Sequence, residues 1–172
     1  MNQITEKAIE AAALAGEILR SGFGAQFDIM NKEGKNNLVT EYDFRSEKAI
    51  ISLLKETFPD SSFLAEESGR GGREDAGLRW VIDPLDGTVN FAHKLPIFSV
   101  SIAAELDGRI VSGVIYHPML DEMFVAERGA GAFLNGRPIH VSQNAQFDSA
   151  FLVTGFPYNV TQNPKHCLET FV

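Results

Sequence analysis

The chain has 172 residues, 44% of them hydrophobic and 22% charged, which is typical of a globular protein and excludes a disordered or fibrous one. Fifteen Lys and Arg against 23 Asp and Glu give a formal net charge of −8, so a broad surface for nucleic acid or an anionic membrane is not expected. A single cysteine excludes an internal disulfide, and the sequence predicts neither a signal peptide nor a transmembrane segment. We therefore expect a cytoplasmic protein. Because the net charge is negative, a phosphorylated substrate would have to be attracted by a local group of the site.

Two amphipathic helices are predicted in the first third of the chain. Apolar residues spaced three and four positions apart predict the first helix over residues 3–21. The second is predicted from Thr40 to Phe58, where Thr40 and Asp43 stand at the positions of an N-cap and its reciprocal partner. Pro59 then ends the second helix.

Strands are predicted in the remainder of the chain. Compact apolar runs predict strands at 62–65 and 79–82, and we interpret the glycine-rich segment 68–77 between them as a flexible connector. From Ile97 the apolar period changes to two, with turn signals between the runs, which predicts an antiparallel meander. The runs of this meander are 97–106, 109–116, 121–127, 131–134 and 137–141, followed by a strand at 151–154 and a helix start at 163–172. Helices followed by a largely antiparallel sheet indicate the α+β class.

An acidic segment follows directly on the predicted strand 79–82. We interpret Asp83 to Asp86 as a β-turn, because Pro84 fixes its own φ and Gly87 frees the backbone after the turn. The ends of a four-residue turn lie within about 7 Å of each other, so both aspartates would direct their carboxylates at one point. The carbonyl of Leu85 can join them there.

These oxygen atoms predict a magnesium site. Glu66 or Glu67, at the end of the neighbouring predicted strand, would supply a further carboxylate. Carboxylate and carbonyl oxygens suit Mg²⁺ rather than zinc. The histidines do not compete with this interpretation, because their spacing is not typical of metal ligands: His93, His117, His140 and His166.

A phosphate site is predicted beside the carboxylates. Gly87 and Thr88 begin a helical turn, whose backbone N–H groups would bind a phosphate while the Thr88 hydroxyl orients a water. Taken separately, each feature has an ordinary explanation: a β-turn, the solvated pair Glu66-Glu67, or a surface histidine at His93. Their occurrence within 23 residues, from Glu66 to Thr88, favours a functional site.

Two segments carry a resemblance to a known family: AEES at 65–68 and WVIDPLDGTVNF at 80–91. With LVTEYD at 38–43, GVIYHP at 113–118 and GAGAF at 129–133, the sequence resembles the inositol monophosphatase family of Mg²⁺-dependent, lithium-sensitive sugar-phosphate phosphatases. The resemblance runs through the whole chain. It implies a layered α/β sandwich that commonly forms homodimers.

The resemblance also implies roles for residues of the predicted metal site. Glu66 would bind a metal ion and help to position the attacking water. Asp83 would bridge two metal ions, the Leu85 carbonyl would bind one of them and Asp86 the other, within a set of two or three Mg²⁺ ions.

Further residues would act on the phosphate and the water. By resemblance, Thr88 would polarise the water while the Gly87 and Thr88 amides hold the phosphate. Lys32 matches a family lysine in a loop near the site. Asp43 matches a family acid that lies behind the metal ligands. Asn37 stands where the family often has aspartate.

Family members are substantially longer than this chain, and their second half contains a Trp-Asp-x-Ala-x-Gly element with a further metal-ligating aspartate. Trp80 is the only tryptophan here, so that element is absent. We therefore expect residues 1–172 to be the N-terminal portion of a sugar-phosphatase-like domain without its C-terminal half. The sheet face that the missing half would cover is expected to be exposed.

The predicted function is Mg²⁺-dependent hydrolysis of a small phosphate monoester by a metal-activated water, with inositol monophosphate as the favoured substrate. The same chemistry would also serve fructose 1,6-bisphosphate, histidinol phosphate or a nucleotide 3′-phosphate. An alternative of a different class is a non-catalytic metal-binding or dimerisation module, because the second half is missing.

Overall fold

The computed structural model describes residues 1–27, 29–31, 38–157 and 159–171. Within these residues the helices are α1 Gln3–Gly22, α2 Glu41–Thr57, α3 Thr88–Ala92 and α4 Cys167–Phe171. The strands are β1 Ile29–Asn31, β2 Leu38–Thr40, β3 Ser62–Ala65, β4 Gly69–Gly72, β5 Leu78–Asp86, β6 Ser99–Leu106, β7 Arg109–His117, β8 Glu122–Glu127, β9 Gly131–Leu134 and β10 Arg137–Ile139. None of the described helices is long and apolar enough to cross a membrane.

One eight-stranded sheet organises the fold, with the strand order β10-β9-β8-β7-β6-β5-β3-β4. Strands β3 and β5 are parallel, and every other neighbouring pair in this sheet is antiparallel. Strands β1 and β2 form a separate antiparallel pair. The predicted α+β class and the antiparallel meander, which runs from β6 to β10, are confirmed.

Both predicted N-terminal helices are present, and the start of α2 has the predicted cap. The Thr40 hydroxyl accepts a hydrogen bond from the Tyr42 N–H, and the Asp43 carboxylate accepts one from the Thr40 N–H at 2.8 Å. The Thr40 hydroxyl also donates to Asp43 at 2.6 Å. Because this reciprocal cap satisfies backbone donors at the helix end, it fixes where α2 begins.

The two long helices pack on one face of the sheet. Buried alanines of α1 and the aliphatic residues Ile50 and Leu54 of α2 join a single core with the inward side chains of the strands. The inward side chains alternate with less buried ones, as the period of two requires. They include Phe63, Trp80, Ile82, Val100, Ile102 and Val114. This packing places the N-terminal end of α2 beside the end of β5.

The prediction of a flexible connector over residues 68–77 is wrong for its first half. Gly69–Gly72 is strand β4, which pairs antiparallel with β3 at the edge of the sheet. A strand needs only backbone N–H and C=O groups, which glycine has, and here the three-residue turn 66–68 brings them beside β3. Gly69 has a φ of 74°, a left-handed conformation that closes this turn without a side-chain clash.

The predicted β-turn over Asp83 to Asp86 is also wrong. These residues continue β5 in extended conformation, and the pairing with β6 shifts in register between Asp83 and Asp86. Pro84 lies inside this irregularity, where the strand can accommodate a residue that lacks an N–H. Pairing of Asp86 with Ser99 of β6 thus overrides the local turn signal.

The C-terminal predictions have mixed outcomes. No strand forms over 151–154, where Phe151 is fully exposed and Val153 is 94% exposed. A strand forms only where its backbone can hydrogen-bond to a neighbouring strand, and no described strand lies beside residues 151–154. The predicted helix start near residue 163 is confirmed by a 3₁₀ turn over Pro164–His166 and by α4.

Candidate active site

Two acidic residues lie side by side where the parallel pairing of β3 with β5 ends. Ala65 is opposite Ile82 in the register, and the Glu66 N–H continues the pairing by donating to the Ile82 carbonyl at 3.0 Å. The carboxyl ends of parallel strands meet at the same edge of a sheet. Glu66 and Asp83, each one residue further along, therefore become neighbours.

Asp83 lies where three carboxyl groups crowd together. Its pKa is raised to about 7, first by burial, then by the charge of Glu66, by a hydrogen bond shared with Glu66 and by the charge of Asp86. A hydrogen bond from the Leu85 N–H to Asp83 Oδ1, 3.1 Å long, opposes this rise. A carboxyl group whose pKa is raised by neighbouring like charges is stabilised by a proton or by a cation.

The donor atoms at this edge have the chemistry of a magnesium site. Carboxylates and a backbone carbonyl are hard oxygen ligands, and the repulsion at Asp83 is what a divalent cation would relieve. Within the ranges that the structure describes, no three His, Cys, Asp or Glu side chains are already arranged as a metal-binding group. Glu66 and Asp83 instead share a hydrogen bond. The metal ligation of Glu66, Asp83, Leu85 and Asp86 therefore stays a prediction that fits the residues present.

A hydroxyl group lies behind the carboxylates, at the start of α3. Gly87 precedes that helix with a φ of 102°, and the chain then turns so that Thr88 faces α2. Thr88 Oγ1 lies 3.0 Å from Asp43 Oδ1 and 3.0 Å from the Leu85 carbonyl oxygen, and can donate its proton to either. Asp43 is 1% exposed, and burial raises its pKa against the opposing hydrogen bonds from Thr40 and Thr88.

Comparison with known proteins places this arrangement in a family. The inositol monophosphatase family profile matches residues 1–171. The chain belongs to the inositol monophosphatase family. It is 44% identical to an inositol-1-monophosphatase from Synechocystis over 154 residues, 90% of this chain and 54% of that protein. It is 40% identical to Nus factor SuhB from Pasteurella multocida over 163 residues, 94% of this chain and 61% of that protein.

The fold agrees with solved structures of the inositol monophosphatase family. The structure of an inositol monophosphatase from Anabaena superposes with a TM-score of 0.81 at 40% sequence identity, covering 94% of this chain and 58% of the other. The layered architecture implied by the resemblance is thereby confirmed. The chain spans between 54% and 61% of the length of the two relatives named above.

The structure brings together most of the residues that the inositol monophosphatase resemblance singles out. Asp43 contacts Thr88, and Glu66 contacts Asp83, whose pKa also responds to Asp86. Lys32 and Asn37 lie outside the described residues. Among the described histidines, His93 is exposed at the end of α3, as expected of a surface residue.

Glu47 is a site residue that the sequence analysis missed. It lies on α2, is 4% exposed, and accepts hydrogen bonds from the N–H groups of Glu67 and Ser68 in the turn after β3. One signal was available: Glu47 follows Asp43 by four residues, so the two acids share one helix face. That face also carries the apolar residues Ile50 and Leu54, which marks it as buried.

Replacing Gly87 with alanine is expected to destabilise the fold by about 1–2 kcal/mol, because the left-handed conformation is unfavourable for a residue with a Cβ. The added Cβ would also lie 3.1 Å from the Ile97 carbonyl oxygen. Urea unfolding measures the change. Gly113→Ala is the matched control, since Gly113 has an ordinary φ and no described heavy atom within 4 Å of the new methyl group. Equal stability of the two variants would contradict the prediction.

Proposed function

We propose that this chain forms the metal- and phosphate-binding part of a Mg²⁺-dependent phosphatase that hydrolyses a small phosphate monoester, with inositol monophosphate as the favoured substrate. The observation that carries the proposal is the convergence of Glu66, Asp83 and Asp86 at one edge of the sheet, where the parallel register of β3 and β5 makes Glu66 and Asp83 neighbours and the crowding raises the pKa of Asp83. It identifies a group of carboxylates that a divalent cation would stabilise. Membership of the inositol monophosphatase family supports the same chemistry.

Two or three Mg²⁺ ions held by Glu66, Asp83, Asp86 and the Leu85 carbonyl would supply an activated water and offset the charge on the phosphate oxygens. Glu66 is exposed and beside Asp83, so its carboxylate is placed to accept a proton from that water. Thr88 donates its own proton to Asp43 or to Leu85, which leaves its oxygen free to accept a hydrogen bond from the water. The water is thus oriented from two sides.

The phosphate would bind at the start of α3. The first four N–H groups of a helix have no partner within the helix, and here they belong to Gly87, Thr88, Val89 and Asn90, since the Phe91 N–H already donates to the Gly87 carbonyl. The left-handed φ of Gly87 turns the chain from β5 into this helix. These donors and the bound Mg²⁺ would attract phosphate locally, although the chain as a whole carries a net charge of −8.

The direct test measures phosphate release from inositol monophosphate, with and without Mg²⁺. The assay uses the chain itself and a chimera in which the remaining part of the Synechocystis relative follows residue 172. We expect Mg²⁺-dependent release that falls by about a hundredfold or more in Asp86→Asn, because a metal ligand is lost. Asp148→Asn is the matched control, an exposed aspartate that loses the same charge away from the site. Undiminished activity of Asp86→Asn would remove this residue from the mechanism.

We further propose that the protein, at the full length of its relatives, is cytoplasmic, sensitive to lithium and homodimeric. A panel containing fructose 1,6-bisphosphate, histidinol phosphate and a nucleotide 3′-phosphate distinguishes the substrates. Mg²⁺ binding without turnover of any of them, in chain and chimera alike, would support the alternative of a non-catalytic module.

A second candidate function comes from the name of a relative. The Pasteurella multocida protein, 40% identical over 163 residues, is named a Nus factor. Replacing that protein in its own organism with the chimera, unchanged or carrying Asp86→Asn, separates the two functions. If both versions restore the function of the replaced protein, the Nus-factor role is favoured. If only the unchanged version restores it, that function depends on the metal site.

A further inference from the structure

A buried carboxylate of α2 binds the backbone of the turn that carries Glu66. Glu47 Oε2 accepts a hydrogen bond of 2.8 Å from the Glu67 N–H, and Glu47 Oε1 accepts one of 2.9 Å from the Ser68 N–H. The two oxygens of one carboxylate thus bind two consecutive amides. The Glu47 side chain is 4% exposed, so water contributes little to its solvation.

Burial of a carboxylate is unfavourable unless hydrogen bonds replace its water. Hydrogen bonds to a charged acceptor are short and about twice as strong as neutral ones, and two of them from a rigid pair of amides also fix orientation. Breaking either bond would leave charge buried with an unsatisfied oxygen. The turn 66–68 is therefore held against α2 by an interaction that strongly resists distortion.

The same face of α2 supports both sides of the predicted metal site. Asp43 and Glu47 are four residues apart, and four residues complete roughly one helical turn, so both point the same way. Asp43 accepts from Thr88 at the start of α3, while Glu47 accepts from the turn after β3. One rigid helix thereby fixes the water-orienting hydroxyl and the Glu66 turn relative to each other.

We propose that Glu47 is a positioning residue, which fixes the turn 66–68 through its two backbone hydrogen bonds and so sets where the Glu66 carboxylate lies relative to Asp83. This rests on the proposed function in that Glu66 is taken as a metal ligand. Residues that orient a ligand are known to change metal affinity by about 10- to 100-fold when they are replaced.

The test measures Mn²⁺ binding to the 172-residue chain by electron paramagnetic resonance of the free ion. In Glu47→Gln one oxygen can still accept, but the new NH₂ group faces an N–H donor, so we expect the Mn²⁺ Kd to rise about tenfold. Glu47→Asp keeps the charge and shortens the side chain by one methylene, and we expect a similar rise. Ile50→Val is the matched control, a core change one turn away on the same helix that destabilises without touching the turn.

Hydrogen exchange of the Glu67 and Ser68 amides supplies the second readout, because both should lose protection in the two Glu47 variants and keep it in Ile50→Val. A Mn²⁺ Kd unchanged in Glu47→Gln would overturn the inference. Wild-type affinity in Glu47→Asp would also overturn it, since charge alone would then explain the effect. If the unchanged chain binds no Mn²⁺, the proposed function fails, and the exchange result then decides whether Glu47 holds the turn.

Discussion

Mg²⁺ is expected to bind the chain about tenfold more tightly at pH 8 than at pH 6, because Asp83 must lose its proton before its carboxylate can bind a cation. The pKa of Asp83 in the metal-free protein is raised to about 7. The carboxylate is therefore about one-tenth ionised at pH 6 and about nine-tenths ionised at pH 8. Calorimetry at the two pH values measures the change, together with the proton released on binding.

Asp83→Asn supplies the control for this pH dependence. The amide is the same size and cannot ionise, so the variant should bind Mg²⁺ weakly and with a much smaller change between the two pH values. Asp75→Asn is matched in charge and exposed, and hydrogen bonding to Arg73 lowers the pKa of Asp75, so that change should leave the tenfold difference intact. If the Mg²⁺ affinity of Asp83→Asn still changes tenfold between pH 6 and pH 8, the titrating group is another residue.

The ionisation of Asp83 also changes the free energy of unfolding. The folded chain holds a proton on Asp83 up to about pH 7, whereas the unfolded chain releases it near the ordinary aspartate value, so raising the pH favours unfolding across that window. Burial raises the pKa of Asp43 in the same direction. The free energy of unfolding of the metal-free chain should therefore fall between about pH 4 and pH 7. Saturating Mg²⁺ should reverse the fall.

Local signals predicted those parts of the fold that local interactions determine. The cap formed by Thr40 and Asp43 involves residues three apart, and the sequence places it correctly. The meander was predictable because its turns and its period of two both lie within short segments. The acidic group at the edge of the sheet followed from the position of Glu66 and Asp83 directly after the predicted strands 62–65 and 79–82.

The errors arose where distant strands decide the outcome. The Asp-Pro-x-Asp-Gly sequence favours a turn by itself, but pairing with β6, which begins 13 residues after Asp86, keeps it extended. The strand β4 has almost no side chains to reveal it, since three of its four residues are glycine. Glu47 was missed because an isolated acid on a helix is usually solvated, and its partners lie 20 and 21 residues away.

The sheet face opposite α1 and α2, called here the open face, is lined with apolar side chains. Its side chains alternate with those of the core, and the register places them together: Leu64, Val81, Ala103, Ile115, Phe124 and Ala132. Ile115 is 48% exposed and Leu64 is 36% exposed. A groove of about 300 Å³ lies on this face beside Ile115 and Phe124. A continuous apolar surface of this kind favours association.

The 172-residue chain is therefore expected to form dimers or larger species at micromolar concentration, visible by analytical ultracentrifugation. Ile115→Lys should weaken this association at least tenfold, because a lysine at the centre of the open face would have to be buried without a partner. Leu120→Lys is the matched control: Leu120 is 64% exposed, but it lies in the turn between β7 and β8, away from the open face. A monodisperse monomer with a sharp thermal transition would show that this face is stable in water. Equal weakening by both lysines would instead indicate that general charge repulsion, and not the open face, controls the association.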